Sequence, residues 1–205
     1  MNGLLFLGGN GPSRRQFRLY RFGKPYVIAA DSGLETAVRM GVEPDLVVGD
    51  MDSLGSGKLL EDVPPEKVIR FPEDKDETDA EIAMRMMRER GVDSVFLIGG
   101  GEGRLAHLLG ILQLFDRDFA PYLWVTAREE VAVVADRKRY ENCRGQLFSF
   151  FPLGGAARGL ASTGLKWPLN GLSWEPSQGG ISNVAVEDRV TVSVESGRLL
   201  AVREI

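Results

Sequence analysis

The pattern of apolar residues in this 205-residue chain changes near residue 127. Before that point, short runs of Val, Ile, Leu and Phe alternate with segments of helical period. Such alternation is typical of a parallel sheet covered by helices, because parallel strands need long crossover connections. We therefore predict an α/β parallel-sheet domain over residues 1–126. Its strands are expected at Leu4–Leu7, Tyr26–Ala30, Leu46–Val48, Val68–Phe71, Val95–Ile98 and Leu123–Val125.

Two helices of this domain can be predicted from the sequence. Thr78-Asp79-Ala80-Glu81 is a capping box, so one helix should begin there, and Gly91 should end it. A second helix should start near Arg104. Its expected inward face is Leu105, Leu108, Leu109, Leu112 and Phe115.

From residue 127 to residue 205 the helical period is absent. Apolar residues alternate or form short runs between Gly, Pro, Ser and Asn, which predicts a small all-β sandwich domain of two antiparallel sheets. Its strands are expected at Val131–Ala135, Gln146–Phe151, Val184–Val186, Val190–Val194 and Leu199–Val202.

Composition excludes several classes of protein. The 29 acidic and 25 basic residues give a net charge of −4, which disfavours a non-specific nucleic-acid binder. One cysteine, Cys143, and one histidine, His107, cannot form an internal disulfide or a structural zinc site. No apolar run is long enough to span a membrane, and the N-terminus lacks the basic flank of a signal peptide. We expect a cytoplasmic protein with no membrane partner.

Aspartates follow three consecutive predicted strands. The carboxyl ends of parallel strands meet at one edge of a sheet, where ligands bind, so these side chains should lie near one another. A divalent cation with oxygen ligands, Mg²⁺ or Mn²⁺, would offset their mutual repulsion. Each Asp alone could instead be a turn former or a helix cap. The residues are Asp31, Asp50, Asp52, Asp74, Asp76 and Asp79.

Two glycine-rich loops could bind phosphate through backbone N–H groups. Gly8-Gly9-Asn10-Gly11 follows the first strand, and Gly99-Gly100-Gly101-Glu102-Gly103-Arg104 follows the fifth. Arg104 strengthens the second candidate, because a guanidinium group suits phosphate oxygens. Either loop could serve only as a tight turn. Neither contains a Walker A motif or a G-x-G-x-x-G fingerprint, which argues against P-loop kinases and dinucleotide enzymes.

Three further residues each allow two interpretations. His107 could be structural, and a Ser-His-Asp hydrolase is disfavoured because no G-x-S-x-G motif is present. Trp167 and Trp174 could belong to the core or stack on a heteroaromatic ligand.

Taken in order, these motifs resemble those of the thiamine pyrophosphokinase family. Ala30-Asp31-Ser32-Gly33 is similar to the family's A-D-G-G, and Gly49-Asp50-Met51-Asp52-Ser53 to its G-D-x-D-S. Lys75-Asp76-Glu77-Thr78-Asp79 resembles K-D-x-T-D. In the second half, Gly164-Leu165-Lys166-Trp167-Pro168-Leu169 resembles G-L-K-[WY]-x-L, and Gly180-Ile181-Ser182-Asn183 resembles G-x-S-N.

The resemblance implies transfer of pyrophosphate from ATP to the hydroxyethyl group of thiamine, with Mg²⁺, in a homodimer. It implies an α/β nucleotide-binding catalytic domain over 1–126 and a thiamine-binding and dimerisation domain over 127–205. The implied catalytic residues are Asp50, Asp52, Asp76 and Asp79, and Asp50, Asp52 and Asp79 would hold the metal. The implied nucleotide and phosphate ligands are Asp31, Ser53, Lys75, Thr78, Arg104 and His107. The implied thiamine ligands are Trp167, Ser182 and Asn183.

Two positions depart from the family's pattern. Ala106 stands where the motif G-R-x-D-H has Asp, and Ser32 replaces the first Gly of A-D-G-G. The lost carboxylate leaves two alternatives open: a non-catalytic protein that binds Mg-nucleotide or thiamine, and a pyrophosphokinase with a different alcohol acceptor.

Overall fold

The structure is a computed structural model that describes residues 1–51, 58–72 and 74–205. These residues divide into two units, Met1–Ala127 and Arg128–Ile205. We call them the N-terminal unit and the C-terminal unit. Within the described ranges, no helix combines the length and the apolar character needed to cross a membrane.

The N-terminal unit contains a parallel sheet made from the six predicted strands. β1 lies between β5 and β2, and its Leu4, Leu5 and Phe6 are all buried. Because successive side chains of a strand point to opposite faces, both faces of the sheet are covered here. The strands are β1 Asn2–Phe6, β2 Tyr26–Ala30, β3 Leu46–Gly49, β4 Val68–Arg70, β5 Ser94–Ile98 and β6 Leu123–Val125, in the sheet order β6-β5-β1-β2-β3-β4.

Helices connect most of these strands. The capping box predicted at Thr78 is confirmed, because the Thr78 hydroxyl accepts from the Glu81 N–H at 3.3 Å and the Glu81 carboxylate accepts from the Thr78 N–H at 2.7 Å. Gly91, with φ +71°, follows the end of that helix. The described helices are α1 Arg14–Phe17, α2 Gly33–Met40, α3 Lys58–Glu61, α4 Asp79–Glu89 and α5 Leu105–Leu114.

The predicted inward face of α5 is wrong in part. Leu105 is 69% exposed and Leu109 is 50% exposed, whereas Ile111, Leu114 and Phe115 are buried. Apolar residues surround this helix on most sides, so their spacing alone does not identify the face that packs against the sheet.

The C-terminal unit consists of antiparallel strands in two groups. One group has the order β12-β9-β14-β7 and the other β11-β10-β13-β8. Both groups contribute to one core, which includes Phe148, Phe150, Leu160, Val192 and Leu199. The strands are β7 Glu129–Val134, β8 Arg137–Tyr140, β9 Leu147–Pro152, β10 Ala157–Thr163, β11 Leu172–Trp174, β12 Gly180–Val184, β13 Val190–Ser193 and β14 Leu199–Glu204.

Candidate active site

Three carboxylates meet at the carboxyl edge of the parallel sheet. Asp31 follows β2, Asp50 follows β3, and Asp79 is the first residue of α4. One carboxylate oxygen from each residue lies within 4.8 Å of one from each of the others. All three residues are half-buried. The topology therefore brings together side chains that are far apart in the sequence.

Lys75 lies beside this cluster. Its Nζ is 3.3 Å from Asp79 Oδ1 and 3.8 Å from Asp50 Oδ2, and it donates to the Pro72 carbonyl at 3.0 Å. The side chain predicted to bind phosphate thus neutralises part of the carboxylate charge in this structure.

The cluster is electrostatically strained. Burial raises the pKa of Asp79, Lys75 opposes that shift, and repulsion from Asp50 and Asp31 adds to it. Asp31 adopts a left-handed backbone, with φ +50°. Its Oδ1 atom is buried and has no hydrogen-bond partner among the described residues. An oxygen-seeking divalent cation would satisfy that atom and relieve the repulsion, so the donor set fits Mg²⁺.

A cleft of about 570 Å³ opens beside Asp31 and Asp79. It lies wholly within the N-terminal unit, and it contains parts of four of the segments identified in the sequence. The lining residues are Leu7, Gly8, Gly9, Ala30, Asp31, Ser32, Lys75, Asp76, Glu77, Thr78, Asp79, Ala80, Gly100, Glu102, Gly103, Arg104, Ala106, His107, Leu108, Gly110, Ile111 and Leu114.

The two glycine-rich loops pair with each other at the cleft. The Gly100 N–H donates to the Gly8 carbonyl at 2.8 Å, and Asn10 and Gly101 exchange backbone hydrogen bonds of 2.8 and 3.0 Å. Gly8 has no room for a side chain, because a Cβ there would lie 2.0 Å from Ser32 Oγ. A side chain at position 8 would therefore have to displace the Ser32 hydroxyl from its position in this structure.

A buried tryptophan side chain is hydrogen-bonded to the second glycine-rich loop. The Trp124 Nε1–H on β6 donates to the Gly99 carbonyl at 2.6 Å. No sequence motif marks Trp124. In the sequence, it is only a tryptophan in an otherwise aliphatic strand, and that pattern does not identify its hydrogen-bond partner.

The remaining predicted residues of the N-terminal unit have different surroundings. Asp76, Arg104 and His107 are exposed and line the cleft. Thr78 also lines it, but its hydroxyl is engaged in the helix cap. Asp52 and Ser53 lie outside the described residues.

The predicted thiamine ligands lie in the C-terminal unit. The Trp167 side chain is 53% exposed, with the Lys166 ammonium 4.6 Å from its ring centroid. Ser182 is exposed and has a left-handed backbone with φ +58°, and its N–H donates to Ser149 Oγ at 3.1 Å. Asn183, by contrast, is buried, and its side chain is hydrogen-bonded to the backbone of Trp167.

Two sequence models of one protein family match most of the chain. The model for the catalytic domain of thiamin pyrophosphokinase matches residues 17–120, and the model for its vitamin B1 binding domain matches residues 135–199. The thiamine pyrophosphokinase of Bacillus subtilis (strain 168) is 27% identical over 186 residues, which cover 86% of this chain and 86% of that protein.

Solved structures of the same family share the fold. The thiamine pyrophosphokinase structure from Bacillus subtilis gives a TM-score of 0.84 at 23% identity, covering 100% of this chain and 99% of that one. The structure from Geobacillus thermodenitrificans gives 0.76 at 26% identity, covering 100% and 98%. The structure from Candida albicans gives 0.77 at 15% identity, covering 100% and 88%.

Proposed function

The chain belongs to the thiamin pyrophosphokinase family, and we propose that its N-terminal cleft transfers a pyrophosphoryl group from ATP to the hydroxyethyl group of thiamine, with Mg²⁺ as cofactor. The products are thiamine diphosphate and AMP. The observation that carries the proposal is the group formed by Asp31, Asp50 and Asp79 at the edge of a cleft lined by two glycine-rich loops.

Asp31, Asp50 and Asp79 would hold the cation, and Asp52 remains a predicted fourth member outside the described residues. When bound, Mg²⁺ would neutralise phosphate charge. Lys75 now neutralises Asp50 and Asp79 through ion pairs of 3.8 and 3.3 Å. We propose that it moves toward the phosphates when a cation takes over that role.

The other residues of the cleft bind and orient the nucleotide. Backbone N–H groups of the glycine-rich loops and the Arg104 guanidinium would contact phosphate oxygens, because both suit anions at close range. Asp76, Thr78 and His107 line the same space and would contact the nucleotide or its phosphates. Transfer of phosphoryl groups depends mainly on such positioning and on charge neutralisation.

The C-terminal unit would bind the acceptor. The exposed Trp167 ring offers a surface for stacking on a heteroaromatic ring, and the exposed Ser182 offers a hydroxyl for hydrogen bonding. Asn183, predicted as a direct ligand, would act by holding Trp167 in place. We propose that residues 1–126 bind ATP and Mg²⁺ and that residues 127–205 bind thiamine.

A homodimer is a further part of the proposal. The exposed Leu105 and Leu109 on α5 form an apolar surface that a second copy could cover, and the family resemblance favours that partner. Light scattering after size exclusion should give twice the chain mass, and Leu109→Glu should lower it. The cytoplasmic location stays a prediction from the sequence.

Incubation with Mg·ATP and thiamine tests the function directly. We expect AMP and thiamine diphosphate in equal amounts, and neither product without thiamine or with a chelator present. ATP binding without AMP release would favour the non-catalytic alternative. AMP release with another alcohol but not with thiamine would favour a different acceptor.

A further inference from the structure

We propose that Glu102 is a catalytic residue of this enzyme, whose carboxylate contacts the attacking hydroxyl of the acceptor and accepts its proton. The inference rests on the proposed pyrophosphate transfer. It concerns the part of the cleft formed by the second glycine-rich loop and the start of α5, where Ala106 provides no polar group.

Glu102 is the carboxylate that this part of the cleft contributes. Among the described residues that line the cleft, the other carboxylates are Asp31 and those of the segment 76–79. Asp31 and Asp79 belong to the metal cluster, and Glu77 is paired with Arg85 at 3.0 Å. Asp76 follows Lys75 directly in the chain and is proposed above to contact the nucleotide. Glu102 comes instead from the loop that leads into α5, three residues before the helix begins.

The backbone at Glu102 indicates a functional reason for this residue. Its φ is +49°, in the left-handed region that glycine adopts most easily. The neighbouring positions 99, 100, 101 and 103 are all glycine, so a side chain at 102 is the exception in this loop. Non-glycine residues in this conformation cluster at functional sites, and Asp31 in the same cleft is another example.

The side chain is also oriented by a neighbour. The Asn10 amide, from the first glycine-rich loop, donates to Glu102 Oε2. Because Asn10 and Gly101 are paired through their backbones, this contact ties the carboxylate to the place where the two loops join. A carboxylate held in this way can accept a proton from a hydroxyl at hydrogen-bond distance.

The transfer needs no reactant besides ATP and the acceptor alcohol. The acceptor oxygen forms a bond to the β-phosphorus of ATP, and the bond from that phosphorus to the oxygen bridging to the α-phosphate breaks. The electron pair of the broken bond stays with that oxygen, which leaves as part of AMP. The hydroxyl proton passes to the Glu102 carboxylate and then to water.

Four variants test the role of Glu102 in AMP release with Mg·ATP and thiamine. Glu102→Gln should lower kcat by about 10²-fold or more, the range of general-base catalysis, while the dissociation constant of Mg·ATP changes little. Glu102→Gly should show the same loss of kcat, although glycine adopts a φ of +49° more easily than glutamate does. Its melting temperature should equal or exceed that of wild type. Adding Ala106→Asp to Glu102→Gln should restore part of kcat. The charge control Glu66→Gln, exposed and outside the cleft lining, should behave as wild type.

The outcomes separate this inference from the proposed function. If wild type releases no AMP with thiamine, the proposed function fails, and the role of Glu102 falls with it. If wild type is active and Glu102→Gln keeps its kcat, the inference alone is wrong. If Glu102→Gly keeps full activity, the carboxylate is dispensable, which also overturns the inference.

Discussion

The side-chain amide of Asn183 binds both backbone polar groups of Trp167. Asn183 Oδ1 accepts from the Trp167 N–H at 3.1 Å, and Asn183 Nδ2 donates to the Trp167 carbonyl at 2.6 Å. The same Oδ1 accepts from the Val184 N–H at 2.9 Å. Asn183 is only 6% exposed, whereas the indole of Trp167 is 53% exposed. A buried amide therefore fixes the backbone that presents an exposed ring.

Trp167→Ala should weaken thiamine binding without unfolding the protein. Loss of stacking on a heteroaromatic ring is expected to cost about 1 to 3 kcal/mol of binding free energy. Calorimetric titrations should give weaker binding of thiamine and an unchanged affinity for Mg·ATP. The melting temperature should stay near that of wild type, because half of the ring already contacts solvent. A lower melting temperature with normal thiamine binding would mean that Trp167 serves the core.

Asn183→Asp should damage both stability and thiamine binding. The substitution keeps the size of the side chain but replaces the Nδ2 donor by an oxygen that faces the Trp167 carbonyl. We expect the free energy of unfolding to fall by about 1 to 3 kcal/mol. Chemical denaturation measures this, and the exposed Asn142, mutated to Asp, is the matched control. Wild-type stability of Asn183→Asp would contradict the positioning role.

The strands of the N-terminal unit could be predicted because local composition determines them. β2 and β3 are apolar runs that need burial on both faces, and Asp31 and Asp50 mark their carboxyl ends. The edge strand β8, with the sequence Arg-Lys-Arg-Tyr, lacks such a run and was not predicted. Its conformation depends on pairing with β13, in a register that places Tyr140 opposite Val190, which is 50 residues farther along the chain.

The contacts that organise the candidate site were harder to predict. Trp124 and Gly99 are 25 residues apart, and Asn183 and Trp167 are 16 apart, so each pair forms only after the fold brings the segments together. Local sequence identifies the residue types but not such partners. For the same reason, the clustering of Asp31 with Asp50 could be predicted from strand order, whereas the pairing of Lys75 with Asp50 could not.

Asp31→Asn should remove the stabilisation that Mg²⁺ gives to the protein. Without the metal, the variant should be as stable as wild type or slightly more so, because one charge leaves a repulsive cluster. With Mg²⁺ at about 100 times its dissociation constant, wild type should gain about 2.7 kcal/mol of stability, and the variant much less. Thermal unfolding with and without Mg²⁺ measures this, with the exposed Asp62→Asn as control. An equal gain in both proteins would exclude Asp31 from the metal site.

Trp124→Phe should loosen the second glycine-rich loop. Phenylalanine fills most of the buried space but leaves the Gly99 carbonyl without its donor, which is expected to cost about 1 to 3 kcal/mol of stability. The affinity for Mg·ATP should fall as well, since the loop lines the cleft. Trp174→Phe, in the C-terminal unit, is the comparison for loss of an indole. An unchanged ATP affinity in Trp124→Phe would show that the loop keeps its position without this hydrogen bond.

Glu81 should make stability depend on pH at the start of α4. Partial burial acts to raise the pKa of Glu81, but hydrogen bonds from Thr78 and Arg117 outweigh it and lower that pKa below the ordinary value of 4.5. The folded state therefore favours the carboxylate, and the stabilisation is present above pH 4.5 and lost as the pH falls through the lowered pKa. Asp79, whose pKa is raised, has the opposite effect but is common to wild type and Glu81→Gln. The difference in melting temperature between these two proteins should shrink steadily between about pH 6 and about pH 3. A difference in melting temperature that stays constant over this range would contradict stabilisation of α4 by the ionised Glu81 carboxylate.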